Sequence, residues 1–221
     1  LPGSKTTIAD LDWMEARGLS DAVRRAHRDG AAVIGICGGY QMLGTRIHDP
    51  DKVESSRTET DGLGLLPLTT EFAGSKETHR VQGEVAQDFG LLAGAKGLPV
   101  QGYEIHMGRT WGEGAGAAFR IDGRSDIPVT ERNAYDGALD SSGSVLGTYI
   151  HGLFHNGGLR RAMLLELARR KGVSVPLPAQ EAVSDREFDK LADWVRASLR
   201  MDLVYQMAGL AHDFDGAGAP N

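Results

Sequence analysis

The sequence predicts an α/β fold, a sheet flanked by helices, on three observations. A short apolar run, Ala31-Ala32-Val33-Ile34-Gly35-Ile36, follows two helical segments and suits a buried parallel strand. It leads directly into a glycine-rich turn and a stretch of helical character from Tyr40 to Ile47, so helix, strand, turn and helix succeed one another. A second strand-like run, Val145 to Ile150, ends at His151 and is followed by an amphipathic helix from Leu159 to Arg170, closed by Gly172.

The elements follow in order. Thr6 to Arg17 reads as a helix with Ile8, Leu11 and Met14 on one side and Gly18 as its stop. Ser20 is placed to cap a second helix that ends at Gly30. Residues 49–145 are rich in Gly, Thr and β-like runs, among them Val81 to Val85, Val100 to Ile105 and Ala118 to Ile121. Ser75 to Arg80 and Gly112 to Gly116 read as loops. Pro176 and Pro178 break the chain, and Ser184-Asp185-Arg186-Glu187 forms a capping box that opens a last long helix. Phe188, Leu191, Val195, Leu199 and Leu203 form a helical stripe expected to pack in a core, and Trp13, Trp111 and Trp194 are likewise read as packing residues. The Gly/Ala-rich tail, residues 211–221, is expected to be disordered, leaving residues 1–210 as one domain.

Composition narrows the function classes. With 41% hydrophobic and 24% charged residues, the 221-residue chain resembles an ordinary globular protein. A net charge of −6 argues against a nucleic-acid partner, which would call for a basic face. No apolar run approaches the roughly 18 residues that span a membrane. One cysteine makes no internal disulfide, so a cytoplasmic location is expected. The chain opens Leu1-Pro2-Gly3-Ser4-Lys5 without an initiator methionine and reads as a piece of a longer protein.

That single cysteine, Cys37, stands in GICGGYQMLG, between the first predicted strand and the following helix. A sharp strand-to-helix turn lifts a nucleophile above the sheet, and small neighbours such as Gly35, Gly38 and Gly39 let substrate approach. The helix N-terminus directs free N–H groups and partial positive charge at the sulfur, an environment that lowers a thiol pKa from about 8.5 to roughly 3.5–7.5. The Gly38 N–H would face an oxyanion formed by thiolate attack. A cysteine nucleophile needs a base. Two histidines, His151 and His106, close β-like runs at the strand ends where α/β sheets bind ligands, and spacing alone leaves both as candidates. His27 and His212 are read as solvated.

Gly35-Ile36-Cys37-Gly38-Gly39-Tyr40-Gln41 resembles the nucleophile motif of class I, or triad-type, glutamine amidotransferases. Three further segments resemble signatures of the cobyric acid synthase family: Leu1-Pro2-Gly3-Ser4-Lys5-Thr6-Thr7-Ile8-Ala9-Asp10-Leu11, Gly102-Tyr103-Glu104-Ile105-His106-Met107-Gly108 and Gly147-Thr148-Tyr149-Ile150-His151-Gly152-Leu153-Phe154. The resemblance implies a flavodoxin-like, mostly parallel sheet with its N-terminal strands truncated. It also implies a glutaminase that feeds ammonia to ATP-dependent amidation of corrin-ring carboxylates, converting adenosylcobyrinic acid a,c-diamide to adenosylcobyric acid in cobalamin biosynthesis. By that match Cys37 is the nucleophile and His151 its base, Gly3 and Gly38 form the oxyanion hole, and Gln41, Tyr103 and His106 lie at the substrate. The implied partners are L-glutamine, a synthetase domain of the same parent chain and, indirectly, the corrinoid substrate. The alternatives are the amidotransferase domain of cobyrinic acid a,c-diamide synthase and a non-catalytic docking module of a synthetase.

Two departures bear on the implied mechanism. His151-Gly152-Leu153 lacks the glutamate that many triad-type enzymes place two residues after the histidine, and Glu104 is offered as the nearby acid. No phosphate-binding Gly-x-x-x-x-Gly-Lys-[Ser/Thr] occurs; Gly90 to Lys96 comes nearest but has Ala95 where the second glycine belongs. No cofactor is therefore expected here, with ATP and Mg in the missing synthetase domain. Lys76, His79 and Arg80 are read as a solvated loop. His151-x-x-x-His155 is not read as a metal site, for want of a helix and a third ligand.

Overall fold

The computed structural model describes residues 1–125, 128–130, 134–176 and 183–210. The chain forms two compact units, Leu1–Leu177 and Pro178–Asn221. The first unit runs α1 (Thr7–Ala16), α2 (Leu19–Arg28), β1 (Val33–Ile36), α3 (Gly38–Leu43), β2 (Arg46–His48), β3 (Glu59–Asp61), β4 (Leu68–Val85), β5 (Pro99–Gly112), β6 (Gly116–Arg124), β7 (Tyr135–Leu139), β8 (Val145–Thr148), β9 (Ile150–His151) and α4 (Gly157–Lys171).

The α/β class holds, with helices flanking one nine-stranded sheet in the order β1-β8-β7-β6-β4-β2-β3, β5 bridging β4 and β9. Its pairing is mixed rather than mostly parallel. β1–β8 and β2–β4 are parallel, and the other pairings are antiparallel. Connectivity supplies the reason. A parallel neighbour needs a crossover of a dozen or more residues, usually a helix, and no α-helix lies between β4 and β8 among the described residues. The expected loop at Ser75 to Arg80 is instead part of β4, paired with β5 across a register shift between Glu71 and Lys76. His79 is accordingly buried, its Nδ1 2.9 Å from the Ser125 carbonyl oxygen. The helix after Cys37 stops at Leu43, and Arg46 to His48 turn into β2.

Alternation along the strands divides the core between the two sheet faces. Leu139, Leu146 and Ile150 pack with Leu91, Phe119, Leu159 and Met163, under α4. Their neighbours Ala138, Val145 and Tyr149 pack with Ile8, Leu11, Tyr40, Leu43 and Phe72, under α1 and α3. Ser20 lies inside α2 rather than capping it; it is buried and its hydroxyl has no partner among the described residues.

The second unit holds α5 (Val183–Ser198) and α6 (Met201–Met207). Its stripe is not a core face: Phe188, Leu191, Leu199 and Leu203 are exposed and Val195 is half-buried, and Trp194 beside them is exposed as well. Trp13 and Trp111 are about half exposed too, at 52% and 50%, so the expectation of three packing tryptophans is corrected. A helical period marks an apolar face without saying what covers it. Residues 211–221, with His212, lie outside the described residues.

Candidate active site

β1 hands the chain to α3 through Cys37, whose φ of 54° and ψ of −114° lie outside the regions an L-residue normally adopts. Such a conformation persists only where its surroundings over-determine it. Here the Cys37 N–H donates to the Thr148 carbonyl at 2.8 Å and the Cys37 carbonyl accepts from Gln41 N at 3.1 Å. The first residues of the chain complete the turn. Ile36 N donates to the Leu1 carbonyl at 3.0 Å and Gly39 N to the Pro2 carbonyl at 3.0 Å, so Leu1 and Pro2 run beside β1.

Gly3 then lies against both candidate reacting groups. A Cβ at Gly3 would sit 3.2 Å from His151 Cε1, 3.5 Å from Cys37 Cβ and 3.9 Å from Cys37 Sγ. Gly38 packs on the same segment, where a Cβ would come within 2.9 Å of Ser4 N. Both glycines are thus sites of close approach around the sulfur, the places the sequence assigned to an oxyanion hole. His151 arrives on β9, in register with Tyr103 on β5, and its buried Nε2 has no hydrogen-bond partner among the described residues.

The surroundings of the sulfur favour the thiol over the thiolate. Burial pushes the Cys37 pKa up, the Gly38 N–H opposes this, and the charge of Glu54 pushes it further up. As a thiol, Sγ donates to the Ile105 carbonyl at 3.3 Å. At the N-terminus of α3 the Gly38 N–H is the group that lowers the thiol pKa, and burial outweighs it.

The other expected site residues divide. Tyr103 is half exposed, with the Arg80 guanidinium 6.0 Å from its ring centroid. Gln41 and His106 are committed to the protein itself. Gln41 Oε1 accepts from Thr7 Oγ1 at 3.2 Å, and its Nε2 donates to the Met107 carbonyl at 3.0 Å and to Tyr149 Oη at 3.3 Å. His106 Nδ1 lies 3.0 Å from the Gly108 carbonyl oxygen and Nε2 3.2 Å from Glu104 Oε1, while the ring stacks on Tyr149 at 3.8 Å. Neither nitrogen of His106 is therefore available as a base, which separates the two histidines that spacing left open. Glu104 does not serve His151. Arg124 grips its carboxylate through Nε at 2.6 Å and Nη2 at 3.2 Å, and burial notwithstanding, the bonds from His106 and Arg124 pull its pKa down to about 2. Among the described residues no carboxylate holds the His151 ring, and no group of three or more His, Cys, Asp or Glu is arranged to hold a metal.

Several contributors escaped the sequence reading. Thr7, the first residue of α1, reaches Gln41, and its N–H is capped by Glu54 Oε2 at 2.9 Å from a loop 47 residues on. Arg124 and Asp136 approach the site only through the sheet. Asp136 is buried, and burial pushes its carboxyl up to about 6 against the bonds from Thr148 and Tyr149. The Thr148-Tyr149 pair was in view as part of a motif, but nothing local marks its partners.

A helix-flanked sheet with a strained cysteine at its strand-to-helix turn is the geometry of a nucleophile elbow. The chain belongs to the family of the CobB/CobQ-like glutamine amidotransferase domain, whose model matches residues 1–159. It is 46% identical over 208 residues to a cobyric acid synthase of Dehalococcoides mccartyi, covering 93% of this chain and 40% of the relative. The corresponding protein of Moorella thermoacetica is 40% identical over 232 residues, covering 100% of this chain and 43% of the relative. The chain thus spans about two fifths of the curated relatives it matches. Among solved structures, one described as a glutamine amidotransferase superposes with a TM-score of 0.48 at 20% identity, over 76% of this chain and 77% of that one. No described helix is long and apolar enough to cross a membrane.

Proposed function

We propose that this chain is the glutaminase module of a cobyric acid synthase. The observation that carries the reading is Gly3, packed against Cys37 on one side and His151 on the other, so that nucleophile and base face one small space. The unpartnered Nε2 of His151 takes the thiol proton. The thiolate attacks the glutamine carboxamide carbon, and the resulting oxyanion is met by the N–H groups of Gly3 and Gly38. The amide C–N bond breaks as the imidazolium returns its proton to the leaving ammonia. Water, deprotonated by the same imidazole, then hydrolyses the thioester to glutamate and free Cys37. Tyr103, at the open side of β5, lines the approach, while Gln41 and His106 shape the pocket through the backbone of residues 105–108.

The ammonia serves amidation of corrin-ring carboxylates, taking adenosylcobyrinic acid a,c-diamide to adenosylcobyric acid. A synthetase domain activates them with ATP and Mg²⁺, and the cytoplasm is the setting. The names of the relatives, and the three fifths of their length that this chain does not span, support this wider role. The direct test is covalent labelling with the glutamine-mimicking electrophile 6-diazo-5-oxo-L-norleucine, read by mass spectrometry. A single adduct on Cys37, blocked by excess glutamine and absent in Cys37→Ser, is expected. Labelling of folded protein that glutamine does not block would overturn the reading.

A further inference from the structure

His151 reaches Cys37 through an abrupt change of strand partner. β8 runs beside β1 and β7, but β9, two residues later, pairs with β5. At the break the N–H groups of Tyr149 and Ile150 need acceptors inside the protein, where an unpaired donor is destabilising. A side-chain relay from β7 supplies them. Asp136 accepts the Tyr149 N–H at 3.3 Å from either oxygen and also the Thr148 hydroxyl proton. The Thr148 oxygen in turn accepts the Ile150 N–H at 3.0 Å, while the Thr148 carbonyl accepts the Cys37 N–H at 2.8 Å. A hydroxyl has one proton and two lone pairs, so the bond to Asp136 directs the proton away from Ile150 and leaves a lone pair facing its N–H. Thr148 thus fixes the nucleophile through its backbone and the strand of the base through its side chain.

Resting on the glutaminase reading above, we infer that the buried Asp136–Thr148 pair is a positioning device that sets His151 against Cys37, rather than a packing feature of the sheet. Neither residue touches the reacting atoms, so the signature is misplacement without loss of binding. Thr148→Val removes the hydroxyl at nearly constant shape, and Thr148→Ser retains it. Turnover of glutamine per titrated Cys37 should fall about tenfold or more in Thr148→Val, the scale of a sub-ångström to ångström displacement, and return to within about twofold in Thr148→Ser. The glutamine concentration that half-protects Cys37 from iodoacetamide should stay within about twofold in both. A merely structural role would lower the yield of folded protein and leave the rate per titrated site unchanged, which overturns the inference. Crystal structures of the parent and Thr148→Val give a readout independent of turnover. A displaced His151 ring supports the inference even if the parent shows no glutaminase activity, in which case only the glutaminase reading fails; an unmoved ring with unchanged turnover sinks it. Should Thr148→Val not fold, Asp136→Asn, which keeps one acceptor oxygen, carries the same pair of measurements.

Discussion

Arg124 and Glu104 make the most consequential ion pair near the site, and its removal can be worked through. Their side chains are 5% and 9% exposed, and Arg124 grips the carboxylate through two nitrogens. Replacing Arg124 with Met leaves Glu104 buried with His106 as its remaining side-chain partner among the described residues, and breaking a buried pair from one side costs about 3–5 kcal/mol. The proton linkage gives a similar size. Glu104 titrates at about 2 in the folded protein against 4.5 ordinarily, worth about 3 kcal/mol. For a unit of this length, 1 kcal/mol moves Tm by roughly 2–4 °C, so Arg124→Met should lower Tm by about 6–20 °C near neutral pH. The sign with pH follows from the depressed pKa. The stabilisation is complete above pH 4.5 and fades as pH falls toward 2, so the gap between parent and variant should narrow across that window. Adding Glu104→Gln to Arg124→Met should recover most of the loss, because no buried charge is then left uncompensated. Thermal and denaturant unfolding of the three proteins between pH 7 and pH 3 measures all of this. A single variant within about 1 kcal/mol of the parent at pH 7, or a gap that widens in acid, would refute the reasoning.

Gly3→Ala should cut glutamine turnover about 10- to 100-fold at nearly unchanged Tm, because the new methyl lies 3.2 Å from the His151 ring, inside the space shared with Cys37; parent-like kcat would exclude that geometry. The iodoacetamide reactivity of Cys37 should rise with pH to a midpoint above the usual thiol value of about 8.5, as burial dictates, and Glu54→Gln should shift that midpoint down by removing a nearby negative charge. An unchanged or raised midpoint in Glu54→Gln would show that Glu54 acts on Cys37 only through its cap on Thr7. Tyr149→Phe should slow turnover and lower Tm modestly, since it strands hydrogen bonds from Thr110 at 2.6 Å and Gln41 at 3.3 Å; stability matching the parent in urea would refute it.

What was legible in the sequence was local. Glycine spacing around Cys37 specified a strand-to-helix turn, because only small residues survive the close approaches there, and a run of apolar residues ending in His151 specified a strand end. The helices at Thr7–Ala16 and Gly157–Lys171 follow from period and stop signals. Pairing was not legible. The β4–β5 ladder runs from Leu68 through Glu84, and a segment read as a loop joins it because its partner strand supplies the hydrogen bonds that its own residues do not advertise. Spacing alone left His151 and His106 open and the family resemblance favoured His151; only the fold shows both His106 nitrogens facing acceptors. The same holds for Gly3, brought to the sulfur from 34 positions away by the run of Leu1 and Pro2 beside β1, and for Asp136 and Arg124, whose carboxylate and guanidinium gain their roles from burial. The upward push on the thiol pKa belongs with them. A sequence shows the helix N-terminus that would stabilise a thiolate, but the desolvation that outweighs it is a property of everything packed around the sulfur.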